Sequence, residues 1–534
     1  MGNALSPAAA RIWKPPVSPR FNLVDEEWIP VVLDSGGSRE IGIRDLLSQS
    51  RQIESVSGDS VLVEVAVIRL LVAILCHAHQ GPRDEASWQA LWDAPSLLDE
   101  TLEGYLSNHH AGFFLLDPDR PFGQSTKAGM TGKSNIEPSL SALSHYCASG
   151  TGKRLFDKSL DEVSPCYSPS EAARTMVTYQ CWAPAGGSGY GSSRLVGRAL
   201  VCVPTGANLH ESILLNTSRY DQAKGEPIPA HNSDQPSWTR EGKDDVLAQE
   251  RPIDGLVDLF TRRPRAVRLL EDESGRLGRA WIQAGERIPA TSNVRDPQLL
   301  YHTAKGVPEA QPFPIEAPAW TELPGLLAAR TSGNDFHCAV VNWAAHVGVN
   351  LNVISWKAVA VDTDKASTRF VATAELRIGS RIADDPARLR AITALVKAAQ
   401  GVAEALQGYF KDLGRNGPRG DRKATDKAHK AARETAASAG RVAFWSAASS
   451  AFIQALATLA TGRITPDDAA AANDAWANAL RGGIKAAIQR SQHLTGTSIL
   501  DLIDEGRAHG ELMKRLRYAI GVPIAVGGFP VMSR

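Results

Sequence analysis

Between Cys181 and Arg198 the chain reads CWAPAGGSGYGSSRLVGR, with four glycines among the six residues Gly186–Gly191. Glycines this dense let backbone N–H groups approach a phosphate or a base edge closely. Neither nucleotide fingerprint is completed. Ser192 stands where G-x-G-x-x-G needs its last glycine and also where a P-loop needs its lysine. A second near match, TKAGMTGKSN, ends like a Walker A motif at Gly132-Lys133-Ser134, but Lys127 replaces the first glycine and no strong strand precedes it. A nucleotide-dependent enzyme built on these glycine-rich segments is the alternative reading. It requires a strand directly before Gly129.

Other chemistry is thin. The pairs His77/His79 and His109/His110 lack the i, i+4 spacing of helical metal ligands, and neither H-E-x-x-H nor G-x-S-x-G occurs. The six cysteines, Cys76, Cys147, Cys166, Cys181, Cys202 and Cys338, contain no C-x-x-C pair, so no zinc site and no disulfide framework is expected. Lys+Arg and Asp+Glu both total 58, which argues against a wholesale polyanion binder. Two local basic runs stand out as phosphate-tracking candidates. TRRPRAVR carries Arg262, Arg263, Arg265 and Arg268; RNGPRGDRKATDKAHK carries Arg415, Arg419, Arg422, Lys423, Lys427 and Lys430.

The elements that must position these residues fall into two textures. Residues 1–20 read as a disordered extension. FNLVDEEWIPVVLDSGGSREIGIRDLL then reads as strand, turn, strand and helix start, followed by a helix over 59–80 and helical stretches within 84–107. The apolar run Val65–Cys76 includes Arg69 and is too short to span a bilayer, so it reads as a buried helix. With no signal peptide visible, a cytoplasmic protein without membrane partners is expected. From about 110 to 380, strand-like runs such as RALVCVP, RAVRLLE and TRFVATAELRI alternate with loops. From Asp385 onward the chain is Ala-rich, with Leu389, Ile392, Leu395, Ala399, Val402 and Leu406 at helical spacing. Three further apolar stripes follow, carried by Trp445 and Phe452, by Trp476 and Leu480, and by Leu500 and Leu512. The fold class is therefore α+β: an irregular mixed α/β body over 21–380 followed by a C-terminal four-helix bundle over 385–534.

Four short segments together resemble one family. NLVDEEWIPV (Asn22–Val31) resembles an N-terminal NLL-x-x-x-WIPV opening, RPFGQ (Arg120–Gln124) an HPF-x-Q segment, DQPSW (Asp234–Trp238) an NQP-T/S-W segment, and EAPAW (Glu316–Trp320) an SAPSW segment. In this order and at these separations they are similar to the CasA family, the large subunit of the type I-E CRISPR Cascade complex. The resemblance runs from about Phe21 to the C-terminus.

The resemblance implies a non-catalytic protein with no cofactor and no metal. It would recognise a protospacer-adjacent motif in double-stranded target DNA, start strand separation, and help recruit a helicase–nuclease. Its other partners would be the guide RNA 5′ handle and the backbone, handle-binding and small subunits of the complex. Residue by residue, Ala185, Gly186, Gly187, Ser188 and Gly189 correspond to a glycine loop that approaches the minor groove. The turn Asp362–Ser367 corresponds to a hairpin wedge. There Ala366 matches, and Lys365 stands in place of a glutamine. A basic finger is expected near Trp281–Pro297, with Arg287 or Arg279 as its cation. Phe156, Lys153 and Arg154 correspond to contacts with the RNA handle.

Overall fold

The computed structural model describes residues 14–128, 138–146, 165–183, 199–220, 234–240, 250–289, 294–304, 307–314, 316–327, 338–349, 355–364, 367–377, 385–415, 425–460, 465–492 and 508–516. The chain divides into two compact units. One comprises residues 1–313, 337–349 and 354–375; the other comprises 314–336, 350–353 and 376–534.

The first unit is the mixed α/β body. Its strands are β1 (Arg20–Asn22), β2 (Ile29–Leu33), β3 (Ser38–Ile41), β4 (Ile53–Val56), β5 (Phe114–Leu116), β6 (Val201–Thr205), β7 (Arg265–Glu271), β8 (Leu277–Ala284), β9 (Tyr301–Ala304), β10 (Val307–Ala310), β11 (Ser355–Asp364) and β12 (Ser367–Arg377). They form small sheets in the orders β3-β2-β4, β12-β11-β6, β1-β5, β7-β8 and β9-β10. The expected strand–turn–strand at the start is β2 and β3, with Gly36 at φ +85° in the turn, where a Cβ would strain the backbone. Its helices are α1 (Ile43–Ser48), α2 (Val61–His79), α3 (Glu85–Asp93), α4 (Glu100–His109), α5 (Pro169–Trp182), α6 (Leu209–Leu215) and α7 (Leu256–Thr261).

Helix α2 is the axis of this unit. Every residue from Leu62 to His77 is buried, and α4, α5, α6 and α7 pack around it. It is 19 residues long and apolar enough to cross a membrane, longer than the apolar run alone suggests. Its burial on all sides inside the protein marks it as a core helix. Arg69, in its middle, is 4% exposed and would be costly without partners. It pairs with Asp296, donates to Gln298 Oε1 at 3.0 Å, and lies 4.0 Å over the Phe260 ring.

A second buried ionic group underlies β7 and β8. Arg251 forks onto both Asp258 oxygens at 2.7 and 2.6 Å and reaches Glu286 at 3.0 Å. Arg240 meets Asp258 at 2.7 Å, and Arg262 meets it at 3.4 Å. Burial alone would raise the Asp258 pKa. The hydrogen bonds from Arg251 and the attraction of Arg240, Arg251 and Arg262 outweigh that and hold it below the ordinary 3.8. Asp234 shifts upward because of its burial, although Tyr220 donates to it at 2.5 Å and the Val257 and Asp258 N–H groups at 3.0 and 2.7 Å.

The second unit is helical. After α8 (Leu323–Leu327), with the body's α9 (Ala339–His346) intervening in the sequence, come α10 (Pro386–Arg415), α11 (Thr425–Ala460) and α12 (Pro466–Gln492). A last described helix, α13, covers 508–516. Asp385 caps α10 by accepting from the Ala387 N–H at 2.8 Å; Thr465 and Asp468 cap α12 reciprocally, at 3.1 Å in each direction. Helices α10, α11 and α12 pack together, and Arg515 on α13 pairs with Asp412 of α10 at 3.1 Å. The close approach depends on small residues. A Cβ on Gly440 would lie 2.5 Å from the Phe410 ring, and one on Gly483 would lie 2.9 Å from the Phe444 ring. Trp320 is part of this core. It stacks on Phe452 at 4.1 Å, meets Trp445 edge-on, and donates to Ser449 Oγ at 3.0 Å.

Two outcomes follow from these cores. Asp258→Ala leaves three guanidinium groups short of their shared carboxylate and should cost about 3–5 kcal/mol in chemical denaturation. Because the folded pKa of Asp258 lies below the unfolded value, its contribution is present above pH 3.8 and fades as the pH falls further. Asp234 has the opposite sign, its contribution declining as the pH rises above 3.8. Asp258→Asn should therefore flatten the acid limb of the stability profile below that pH. Separately, Trp320→Ala should cost about 3–5 kcal/mol and strip amide-exchange protection from residues 319–327.

Candidate nucleic-acid interface

The elements that flank the glycine segment and the Asp362–Ser367 turn in the sequence are well anchored. Helix α5 starts with a reciprocal cap: the Glu171 N–H donates to Ser168 Oγ at 3.2 Å, and the Ser168 N–H to Glu171 Oε2 at 2.7 Å. It ends at Trp182, fully buried, whose Nε1 donates to the Leu62 carbonyl at 3.1 Å, and Ala183 beyond it is also buried. The chain returns at Ala199, bridged to Pro312, and enters β6. Between these anchors, Ala185, Gly186, Gly187, Ser188 and Gly189 lie outside the described residues. The SILLN segment downstream is α6 with Asn216, which donates to the Pro204 and Ser212 carbonyls at 2.7 Å each.

The expected wedge falls between β11 and β12, neighbouring strands of one sheet. Lys365 and Ala366 lie outside the described residues, but their two shoulders do not. β11 pairs antiparallel with β6 from Ser355↔Thr205 to Val359↔Val201, and Lys357 on it reaches Glu64 of α2 at 2.6 Å. The β12 shoulder is held at Thr368, whose Oγ1 is hydrogen-bonded to His145 Nδ1 at 2.9 Å.

For the basic finger, Arg279 sits on β8 opposite Leu270 and is bridged to Ser139. Arg287 follows the strand. Its carbonyl accepts from Arg262 Nη2 at 2.9 Å and from the Arg251 N–H at 3.0 Å. Its main chain is thus fixed by the buried ionic group, and its side chain is half-buried. On the RNA side, Lys153, Arg154 and Phe156 lie outside the described residues.

TRRPRAVR does not form a phosphate-tracking surface. Arg262, Arg265 and Arg268 are buried, and their guanidinium groups serve the protein's own carbonyls. Arg262 donates to the Arg251, Pro252 and Arg287 carbonyls, Arg265 to Pro264 at 2.8 Å, and Arg268 to Pro118 at 3.0 Å. Arg263 donates to Gln124 at 2.8 Å. In the second run, residues 416–424 lie outside the described residues.

The segments that suggested a nucleotide enzyme fare poorly. Lys133 and Ser134 lie outside the described residues, but Ser125–Ala128 directly before Gly129 is a turn, closed by a bond from the Ala128 N–H to the Ser125 carbonyl. The strand that a phosphate cradle requires there is missing. The glycine loop is likewise preceded by a helix. The histidines are engaged in packing. His77 Nδ1 is 2.9 Å from Tyr105 Oη, and His110 Nε2 is 2.7 Å from Asp25. Burial lowers the pKa of His79 and of His109. Among the described residues no group of three or more His, Cys, Asp or Glu side chains could hold a metal ion.

Sequence reasoning missed how RPFGQ and DQPSW meet. Phe122 stacks on Trp238 at 5.8 Å, Phe113 joins both at 5.4 and 5.0 Å, and Arg120 donates to the Trp238 carbonyl at 3.4 Å. Gly112 is required there, since a Cβ would sit 2.8 Å from that carbonyl oxygen. Both segments line a cleft with Lys127, Arg240 and Arg263. The pairing of two aromatic-plus-proline segments was the available signal.

Comparison with known proteins agrees with this architecture. A family model described as CRISPR-associated protein Cse1 matches residues 22–487. The CRISPR-associated protein CasA/Cse1 of Thermus thermophilus is 32% identical over 300 residues, which is 54% of this chain and 56% of that protein. The aligned stretch thus spans about half the relative's length. Thermus thermophilus CasA (Cse1) has a similar structure, with a TM-score of 0.71 at 22% identity over 94% of this chain and 100% of that one. Thermobifida fusca Cse1 gives 0.71 at 21% identity over 95% and 99%. A chain of a CRISPR RNA-guided surveillance complex gives 0.71 at 20% identity over 93% and 100%. The structural matches establish a shared fold, and the family model extends over most of the sequence: the chain belongs to the Cse1 (CasA) family of CRISPR-associated proteins.

Proposed function

We propose that this chain is the large, non-catalytic subunit of a type I-E CRISPR surveillance complex. In it the chain recognises the protospacer-adjacent motif of double-stranded DNA, promotes strand separation and R-loop formation, and helps recruit the helicase–nuclease. Guide pairing reads the target, while the protein reads a short flanking motif and nucleates melting. The observation that carries the reading is the match to the Cse1 family over residues 22–487, with the glycine segment falling in the sequence between buried Trp182-Ala183 and buried Ala199. Gly186–Gly189 would present backbone to the minor groove, whose few and degenerate donors and acceptors suit tolerance of several motifs. Lys365 and Ala366 would enter the first base step, and Arg287 would add a cation. Phe156 would stack on a handle base while Lys153 and Arg154 neutralise its phosphates. The partners would be the guide RNA 5′ handle, the backbone, handle-binding and small subunits, and the effector nuclease, all in the cytoplasm; no cofactor or metal is required.

The deciding measurement is the affinity of reconstituted, guide-loaded complex for duplexes with and without the adjacent motif. Gly187→Trp or Gly189→Trp should weaken the motif-bearing duplex by about tenfold or more, as for a lost groove contact of roughly 1–3 kcal/mol, and spare the other. Equal affinity of the unaltered complex for both duplexes would defeat the recognition claim. Lys365→Ala should slow strand opening about tenfold, read by a fluorescent base analogue at the first base pairs, with a smaller effect on initial binding. Lys365→Gln should retain opening.

A further inference from the structure

The short segment 138–146 touches α5, β8 and β12, each of which leads to or carries a proposed DNA contact. Its main chain meets β8, through the Ser139–Arg279 bridge and a bond from the Ala280 N–H to the Pro138 carbonyl at 3.2 Å. Its single 3-10 turn, Leu140–Leu143, packs against α5, the helix that runs into the glycine loop. At its end His145, 4% exposed, lies between two shoulders. Its Nδ1 is 2.9 Å from Thr368 Oγ1, three residues beyond Lys365. Its ring centroid is 6.4 Å from that of Tyr179, in the last turn of α5 and four residues before Ala183.

We propose that His145 is a positioning residue that ties the wedge hairpin to the helix carrying the glycine loop, so that motif reading and strand opening share one frame. The assignment rests on the DNA-recognition reading above. A base-pair wedge must enter within a fraction of an ångström of the pair that the groove probe has located. One buried side chain that contacts the hairpin shoulder and the probe helix together supplies that registration. The polar contact on Thr368, between a buried histidine and a half-buried threonine, fixes distance and direction as packing alone does not.

The test uses guide-loaded complex reconstituted with the full chain, with a fluorescent base analogue at the first base pairs next to the motif. His145→Phe keeps an aromatic ring against Tyr179 but cannot bond Thr368. Thr368→Val keeps the shape and removes the hydroxyl. Each is expected to slow opening of motif-bearing duplex about fivefold to tenfold, as for the loss of one half-buried hydrogen bond, with initial motif binding changed less than twofold. The double variant should be no slower than either single one, and His145→Asn should recover part of the rate. Equal melting temperatures of the variants separate positioning from misfolding. Unchanged opening in both single variants, or effects that simply add in the double variant, overturns the proposal. If Gly187→Trp weakens motif binding while both His145→Phe and Thr368→Val open DNA normally, the positioning role alone is overturned. If Gly187→Trp has no effect, the groove-probe reading falls, and the positioning role with it.

Discussion

An irregular backbone has to satisfy its carbonyl groups somewhere, and in this protein buried arginine does much of that. Among the described residues the body's sheets have two or three strands, so much of the chain between them must satisfy its carbonyls outside a long ladder. Guanidinium groups fill the gap. Arg174 donates to the Trp28 carbonyl at 3.0 Å, Arg51 to Ala94 at 2.8 Å, Arg268 to Pro118 at 3.0 Å, and Arg262 gathers three carbonyls at once. The same device recurs in the helical unit, where Arg388 donates to the Leu459 carbonyl at 2.5 Å. Lysine could not substitute, since a planar fork with five donors reaches several loops from one stem.

That constraint explains why the arginine-rich stretch TRRPRAVR misleads when read alone. Four arginines in seven residues look like a polyanion track. What decides is the carboxylates: Asp258 lies one helical turn upstream on α7, Glu286 comes from beyond β8, and Arg240 and Arg251 join them. Charge balance in the sequence does not reveal which charges are desolvated together. The cost of burying an ionic group is offset here by shared bidentate bonds, and the depressed Asp258 pKa is its signature.

Much of the architecture was legible because it is written in local patterns. The largely apolar α2, the Asp385-Pro386 and Thr465-Pro466 helix starts, and the strands β6, β7 and β12 all follow from periodicity and capping chemistry. Long-range choices were not legible. Nothing near Trp320 says that it stacks on Phe452, yet that contact draws 314–336 into the helical unit. The motifs that made the family recognisable turn out to be packing devices. Trp28 donates to its own Leu23 carbonyl at 2.9 Å, Phe122 and Trp238 stack, and Trp320 anchors α11. Such residues persist in a pattern because a close-packed interior tolerates few replacements, so they report the fold and leave the site to other evidence.

The proposed DNA-facing positions obey a different rule, and the contrast has a physical reason. Glycines 186, 187 and 189, Lys365 and Ala366 lie outside the described residues, and the role proposed for them is to present backbone or a single charge. What can be specified locally is their support. The glycine segment begins one turn after a tryptophan locked to α2, and the hairpin leaves a sheet whose central strand is tied to the same helix by Lys357 and Glu64. Two segments rooted on one buried helix have roots with a fixed spacing. A site that reads a short motif and then parts the strands needs roots that cannot move independently.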